Sequence, residues 1–149
     1  MTKGTRSVSE ATLGAWLLKT SPAASPVAEL VRTGFAAVTH RCVRPTYRAA
    51  LVRPGQRVLL WVSGQDREFP AGLYAAGVTT GPVETGEGGP VMPVRLQPID
   101  PVVTREQILA GLGHPDLEVI RTPAGSNPSY VDKEQYAALR SAFPQVSPH

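Results

Sequence analysis

The most hydrophobic stretch of this chain, Val58-Leu59-Leu60-Trp61-Val62, is strand-sized, with a Pro54-Gly55 turn before it and Ser63-Gly64 after it. The same punctuation recurs along the sequence and cuts every apolar run to a few residues. Strands need about 4–8 residues, whereas buried helices need about 10–12 or more. A set of short strands is therefore the natural reading. Leu13–Thr20, closed by Ser21 and Pro22, predicts a buried strand. Phe35–Val43 predicts a second, ending before Pro45. Leu73–Thr80 lies between Gly72 and Gly81, and Gly86, Gly88 and Gly89 predict a flexible loop after it. Val91–Val103 carries Pro93, Pro98 and Pro101, so it predicts an edge or bent strand. Leu117–Thr122 alternates apolar and charged residues and predicts a strand returning to the sheet.

Helices enter only near the two ends. Ser25 with Pro26 predicts an N-cap and first helical residue, with Val27, Leu30 and Val31 as a face ending at Gly34. Thr104 with Gln107 is a capping box, Ile108, Leu109 and Leu112 share a face, and Gly113 sits where a C-terminal glycine belongs. Asp132 with Gln135 opens a last helix whose Tyr136, Leu139 and Phe143 align. The expectation is a single α+β domain over residues 1–149 with its core at about 13–143. Met1–Thr12 is a loose lead-in and Pro144–His149 a frayed tail. About six short strands joined by tight turns favour a small curled mixed sheet or pseudo-barrel with flanking helices over a doubly wound fold.

No apolar run approaches the roughly 18–20 residues of a membrane span, and no signal-peptide core precedes Leu13. The single Cys42 forms neither an intrachain disulfide nor a thiolate zinc site, which fits a reducing cytoplasm. The net charge of +3 does not by itself imply nucleic acid. Its distribution is more telling. Leu30 to Gln65 contains no acid, yet holds Arg32, Arg41, Arg44, Arg48, Arg53 and Arg57. That segment is the candidate anion-facing surface.

Catalytic machinery is not evident. His40, His114 and His149 fall in no nucleophile elbow or metal-spaced pair, and the Gly81–Gly89 segment lacks the spacing and lysine of a P-loop. Cys42 beside Arg41 and Arg44 reads first as a small inward-facing apolar residue. The chain is expected to bind a ligand without a cofactor rather than to catalyse. Trp16 and Trp61, each in a strand with a polar exit, are either core residues or aromatic walls able to stack a base.

AWLLKTSP, then YRAALVRPGQRVLLWVSG with GLYAAGVTTGPV, then LEVIRTPAGSNPSYVDKEQYAAL occur here in the order seen in EVE domains. The chain resembles that family, of the PUA-like superfamily and related to the YTH readers of methylated adenosine, over about Ala15 to Leu139. The resemblance implies a curled mixed sheet and a pocket for a nucleobase, often modified, in DNA or RNA. It places Trp16, Leu17 and Lys19 on one wall and Trp61, Ser63 and Gly64 on a second. Ser126, Asn127, Pro128, Ser129 and Tyr130 would close the third. Arg41 stands in HRCV where the family's pattern leads one to expect a nearby tryptophan, so its guanidinium would stack on the base or hold phosphate. Arg44, Arg48 and Arg53 would join it on backbone phosphate. Two other readings stay open: a small-molecule or nucleotide sensor using the same pocket, and an enzyme relying on Cys42 or His40.

Overall fold

The computed structural model describes residues 7–20, 27–65, 68–113, 117–121 and 127–147. The chain is of α+β type, built on a seven-stranded mixed sheet with few, short helices. In chain order the elements are β1 (Leu13–Thr20), α1 (Val27–Arg32), β2 (His40–Cys42), β3 (Arg57–Gln65), β4 (Pro70–Thr79), β5 (Glu84–Gly86), β6 (Gly89–Thr104), α2 (Arg105–Leu112), α3 (Glu118–Arg121), β7 (Ser129–Asp132) and α4 (Lys133–Ala142). Single turns of 3₁₀ helix cover Tyr47–Leu51 and Pro144–Val146. The strand order is β2-β6-β4-β3-β1-β7, with β5 paired to β6. Among the described residues only β1 and β3 run parallel.

Alternation along the strands loads both faces. Trp16 and Leu18 of β1, and Val58, Leu60 and Val62 of β3, enter a first cluster with Val27, Phe35 and Met92. The intervening Ala15, Leu17, Leu59 and Trp61 enter a second cluster under α2, α3 and α4, with Ile108, Val119, Tyr136 and Leu139. Side chains along a strand point to alternate faces, so the two clusters lie on opposite sides of the sheet. The ladder does not close into a barrel. Its two ends are instead bridged where the Arg44 N–H donates to the Asn127 carbonyl at 2.9 Å, joining the chain after β2 to the chain before β7.

Both predicted capping boxes form. The Thr104 and Asp132 side chains accept from the backbones of Gln107 and Gln135, whose side chains accept in return from the cap N–H groups. Elsewhere the structure departs from expectation. Leu117–Arg121, the described part of the predicted strand Leu117–Thr122, is not a strand: Glu118–Arg121 forms one helical turn, with the Arg121 N–H on the Leu117 carbonyl at 2.9 Å. A run this short satisfies either period, and here Leu117 and Val119 bury in the second cluster as a helix. Ser129–Asp132, for which no strand was predicted, is strand β7. The glycine loop is the tight end of the β5–β6 hairpin, where Gly86 pairs with Gly89. Only His40–Cys42 of the second predicted strand is extended, because Phe35 adopts φ 62° and turns the chain.

The strand predicted to be at an edge or bent is the long β6, interior in the sheet but bent by a bulge opposite the register shift at Leu73/Ala75, which accommodates Pro98 and Pro101. Neither end is wholly loose, since Val8 and Val146 are buried in the two clusters. The proposed helix start at Ser25-Pro26, and His114 and His149, lie outside the described residues. No helix among the described residues is long and apolar enough to cross a membrane.

Candidate functional site at the ends of β1 and β3

The parallel pairing aligns Lys19 with Trp61 and Thr20 with Val62, so both strands end side by side. β7 flanks β1 on its other side, with Trp16 opposite Tyr130 and Leu17 opposite Ser129. Just before β7, the Asn127 side chain extends this ladder: its Oδ1 accepts from the Lys19 N–H at 2.8 Å and its Nδ2 donates to the Lys19 carbonyl at 3.1 Å. The amide that sequence reasoning assigned to a base edge thus holds the end of β1. Asn127→Ala is expected to lower stability by about 1–3 kcal/mol through two unpaired backbone groups, measured by urea unfolding. A change below the resolution of that measurement would return Asn127 to ligand recognition alone.

Arg48 is the centre of the cluster. The 3₁₀ turn, capped by Thr46, aims its guanidinium at Glu118, giving two bonds of 2.8 Å, Nη1 to Oε1 and Nη2 to Oε2. Nη1 also donates to the Pro128 carbonyl at 2.8 Å, and the guanidinium lies 4.9 Å from the Tyr130 ring centroid. Burial alone would raise the Glu118 carboxyl, but the bonds and charge of Arg48 outweigh it and hold that carboxyl below its ordinary value. Burial lowers the nearby Lys19 ammonium, with Glu118 opposing and Arg48 reinforcing that shift. Burial also raises the Tyr130 phenol, helped by the Glu118 charge.

The two tryptophans do not share a wall. Trp16 belongs to the first cluster and Trp61 to the second, both almost fully buried. The Trp16 indole N–H is satisfied by Gln56 Oε1 at 2.8 Å. Leu17 and Ser129 are buried too, Ser63 is half-buried, and Gly64 continues β3. Ser126 lies outside the described residues. Of the predicted pocket, the structure brings together Lys19, Asn127, Pro128 and Tyr130.

The predicted phosphate ligands also separate. Arg53 is exposed and paired with Glu10 at 2.9 Å, Arg48 is engaged as above, and Arg44 is exposed. Arg41 turns inward: it pairs in register with Met92 of the first cluster, and burial lowers its guanidinium from its ordinary value, with Cys42 opposing.

Two buried atoms stand apart, one on Thr20, which sequence reasoning did not single out, and one on Arg41, which it did. Thr20 Oγ1 and Arg41 Nε are buried without a hydrogen-bond partner among the described residues. Thr20 follows Trp16 and Leu18 at strand spacing, and Arg41 lies beside Met92, so both face the first-cluster side of the sheet. Among the described residues no cluster of three or more His, Cys, Asp or Glu is placed to hold a metal.

No family model matches the sequence, and no curated protein matches it. Solved structures do. The chain is similar to the NMR structure of Rpa0253 from Rhodopseudomonas palustris, with TM-score 0.66 and 16% identity over 92% of this chain and 97% of that one. It is similar to a hypothetical protein from Leishmania major, with TM-score 0.61 and 18% identity over 91% and 98% of the two chains. It is also similar to the crystal structure of Atu2648 from Agrobacterium tumefaciens, with TM-score 0.58 and 14% identity over 90% and 95%. At these identities the shared property is the fold, which extends over nearly the full length of each chain.

Proposed function

We propose that this is a nucleic-acid-binding module of PUA-like, pseudo-barrel type that takes one nucleobase, modified bases included, against the first-cluster side of β1 and β2. The observation that carries the reading is the pair of buried atoms, Thr20 Oγ1 and Arg41 Nε, that lack partners on one face of the sheet. Each such group costs about 1–3 kcal/mol when left unmet, and buried polar atoms without partners call for an occupant. Arg41 Nε offers a donor, while the Thr20 hydroxyl offers a donor or an acceptor. A base edge presents the complements of both. Tyr130 and Arg48 add a stacked aromatic and guanidinium pair at the mouth, and exposed Arg44 is the cation nearest that bridge for a backbone phosphate. The resemblance to EVE domains supports the same ligand class. The aromatic sandwich drops out of this reading, because both tryptophans are core residues.

Thr20→Val removes the hydroxyl at nearly constant volume, and Arg41→Met keeps the stem and removes the donors. Binding of modified nucleosides and of single-stranded oligonucleotides carrying them, followed by calorimetry, should weaken by about 1–3 kcal/mol in each variant. Thr20→Val should meanwhile melt no lower than the parent, because an unmet group has gone. Parent-like affinity in both variants would remove the site. Oligonucleotide affinity should fall with salt and nucleoside affinity hardly at all. Two equally flat responses would favour a nucleotide sensor.

A further inference from the structure

A cleft of about 640 Å³ opens on the second-cluster side of the sheet, the face opposite the base site. The registers build its floor in two rows. Arg57 of β3, Val78 of β4 and Arg95 of β6 form the first, and Leu59, Ala76 and Gln97 the second. The middle strand contributes the smaller side chains, so the floor dips between two arginines set two strand spacings, about 9–10 Å, apart. Tyr136 of α4 and Val146 with Ser147 form the wall. The Arg57 guanidinium rests 4.8 Å from the Tyr136 ring centroid, and Arg140 approaches the same ring at 5.9 Å.

The charge balance of this cleft is one-sided. The ion pairs among the described residues are Arg32 with Glu29, Arg48 with Glu118 and Arg53 with Glu10. Arg57, Arg95 and Arg140 belong to none of them, and among the described residues no carboxylate lines the cleft. Two lining cations, with Arg140 on the ring that walls the cleft, suit a ligand with a doubly charged head and a flat or apolar body. A phosphomonoester carries about −1.5 to −2 at neutral pH, whereas a carboxylate carries one charge. The volume falls within the roughly 300–1,000 Å³ of small-molecule sites.

We propose that the Arg57–Arg95 cleft binds a small phosphomonoester, its phosphate held over Val78 between the two guanidinia and its body lying along the cleft toward Tyr136. The inference is independent of the base site.

Phenyl phosphate is the probe, with phenol and inorganic phosphate as the two halves of the ligand, titrated by calorimetry and by NMR against the full chain. Phenyl phosphate should bind more tightly than either half. Arg57→Gln and Arg95→Gln should each weaken it by about 10–100-fold, the effect of one charge-assisted contact. Arg95 is exposed and unstacked, so Arg95→Gln should melt like the parent. Arg95→Lys should restore part of the affinity, and Thr20→Val should leave it unchanged. Parent-like binding by the Arg57→Gln/Arg95→Gln double variant would overturn the site. So would phenyl phosphate binding no better than inorganic phosphate. If a single-stranded oligonucleotide displaces phenyl phosphate and loses affinity with Arg95→Gln, the phosphate belongs to a nucleic-acid backbone and the small-molecule assignment fails.

Discussion

Arg48→Ala is expected to lower unfolding free energy by about 3–5 kcal/mol, the usual loss when one member of a buried ion pair is removed. The Arg48 and Glu118 side chains are only 16% and 13% exposed, so solvent does little to screen the carboxylate left behind. The same change takes the donor from the Pro128 carbonyl and the cation from the Tyr130 ring. A control follows from the asymmetry between breaking a pair and replacing it. Arg48→Met with Glu118→Leu should recover most of the loss, because no buried charge remains.

The pH dependence should differ as well. In the parent, the folded Glu118 carboxyl sits below its ordinary value of 4.5, so its contribution is present above that pH and is lost as pH falls through the folded value. In Arg48→Ala, burial remains with only the smaller compensation from Arg121 and the Tyr130 backbone, and the carboxyl rises. Acid then relieves the buried charge, and the deficit against the parent should be larger at about pH 7 than at about pH 4. Urea unfolding at both pH values decides it. If Arg48→Ala instead costs under about 1 kcal/mol and flattens the salt dependence of oligonucleotide binding, Arg48 is a surface phosphate contact after all.

How much of this was legible in the sequence depends on the range of the interaction. The two capping boxes are three-residue signals, and Thr104/Gln107 and Asp132/Gln135 formed as read. Strands β1, β3 and β4 lay between proline and glycine punctuation and were legible to within a few residues. Glu118–Arg121 and Ser129–Asp132 were not, because four residues carry too little periodicity to separate a helical turn from a strand. The site suffered from a different gap. Trp16 aligns with Val58, and Trp61 lies three positions further along, an odd offset that puts the tryptophans on opposite faces. Register is a tertiary property, and a slip of one residue exchanges the faces. The Arg48–Glu118 pair spans 70 residues, and no local pattern announces it. Thr20 read only as the polar exit of a strand, since a missing partner is a fact about every neighbour at once.

Gly77→Ala is expected to be among the most damaging single substitutions in the chain, costing at least about 4–5 kcal/mol. Gly77 lies in β4 opposite Val58 of β3 and Leu96 of β6. A Cβ there would overlap the Arg95 carbonyl oxygen and lie 2.8 Å from the Arg95 carbonyl carbon and 3.0 Å from Leu96 Cα. All are backbone atoms, so no side-chain rotation relieves the contact, and β6 must move away from β4. The glycine is therefore needed for room rather than for a left-handed backbone, which it does not adopt. Moving β6 breaks the pairing of Val78 with Arg95 and displaces Arg95 from Arg57, so any surviving fold should also lose phenyl phosphate binding. Gly88→Ala is the control. It sits in the β5–β6 turn with nothing within 4 Å of an added methyl, and should stay within about 0.5 kcal/mol of the parent. Thermal melts followed by circular dichroism compare the two variants. A Gly77→Ala protein that melts with Gly88→Ala would mean that β4 and β6 do not approach this closely, and the floor built from their register would go with it.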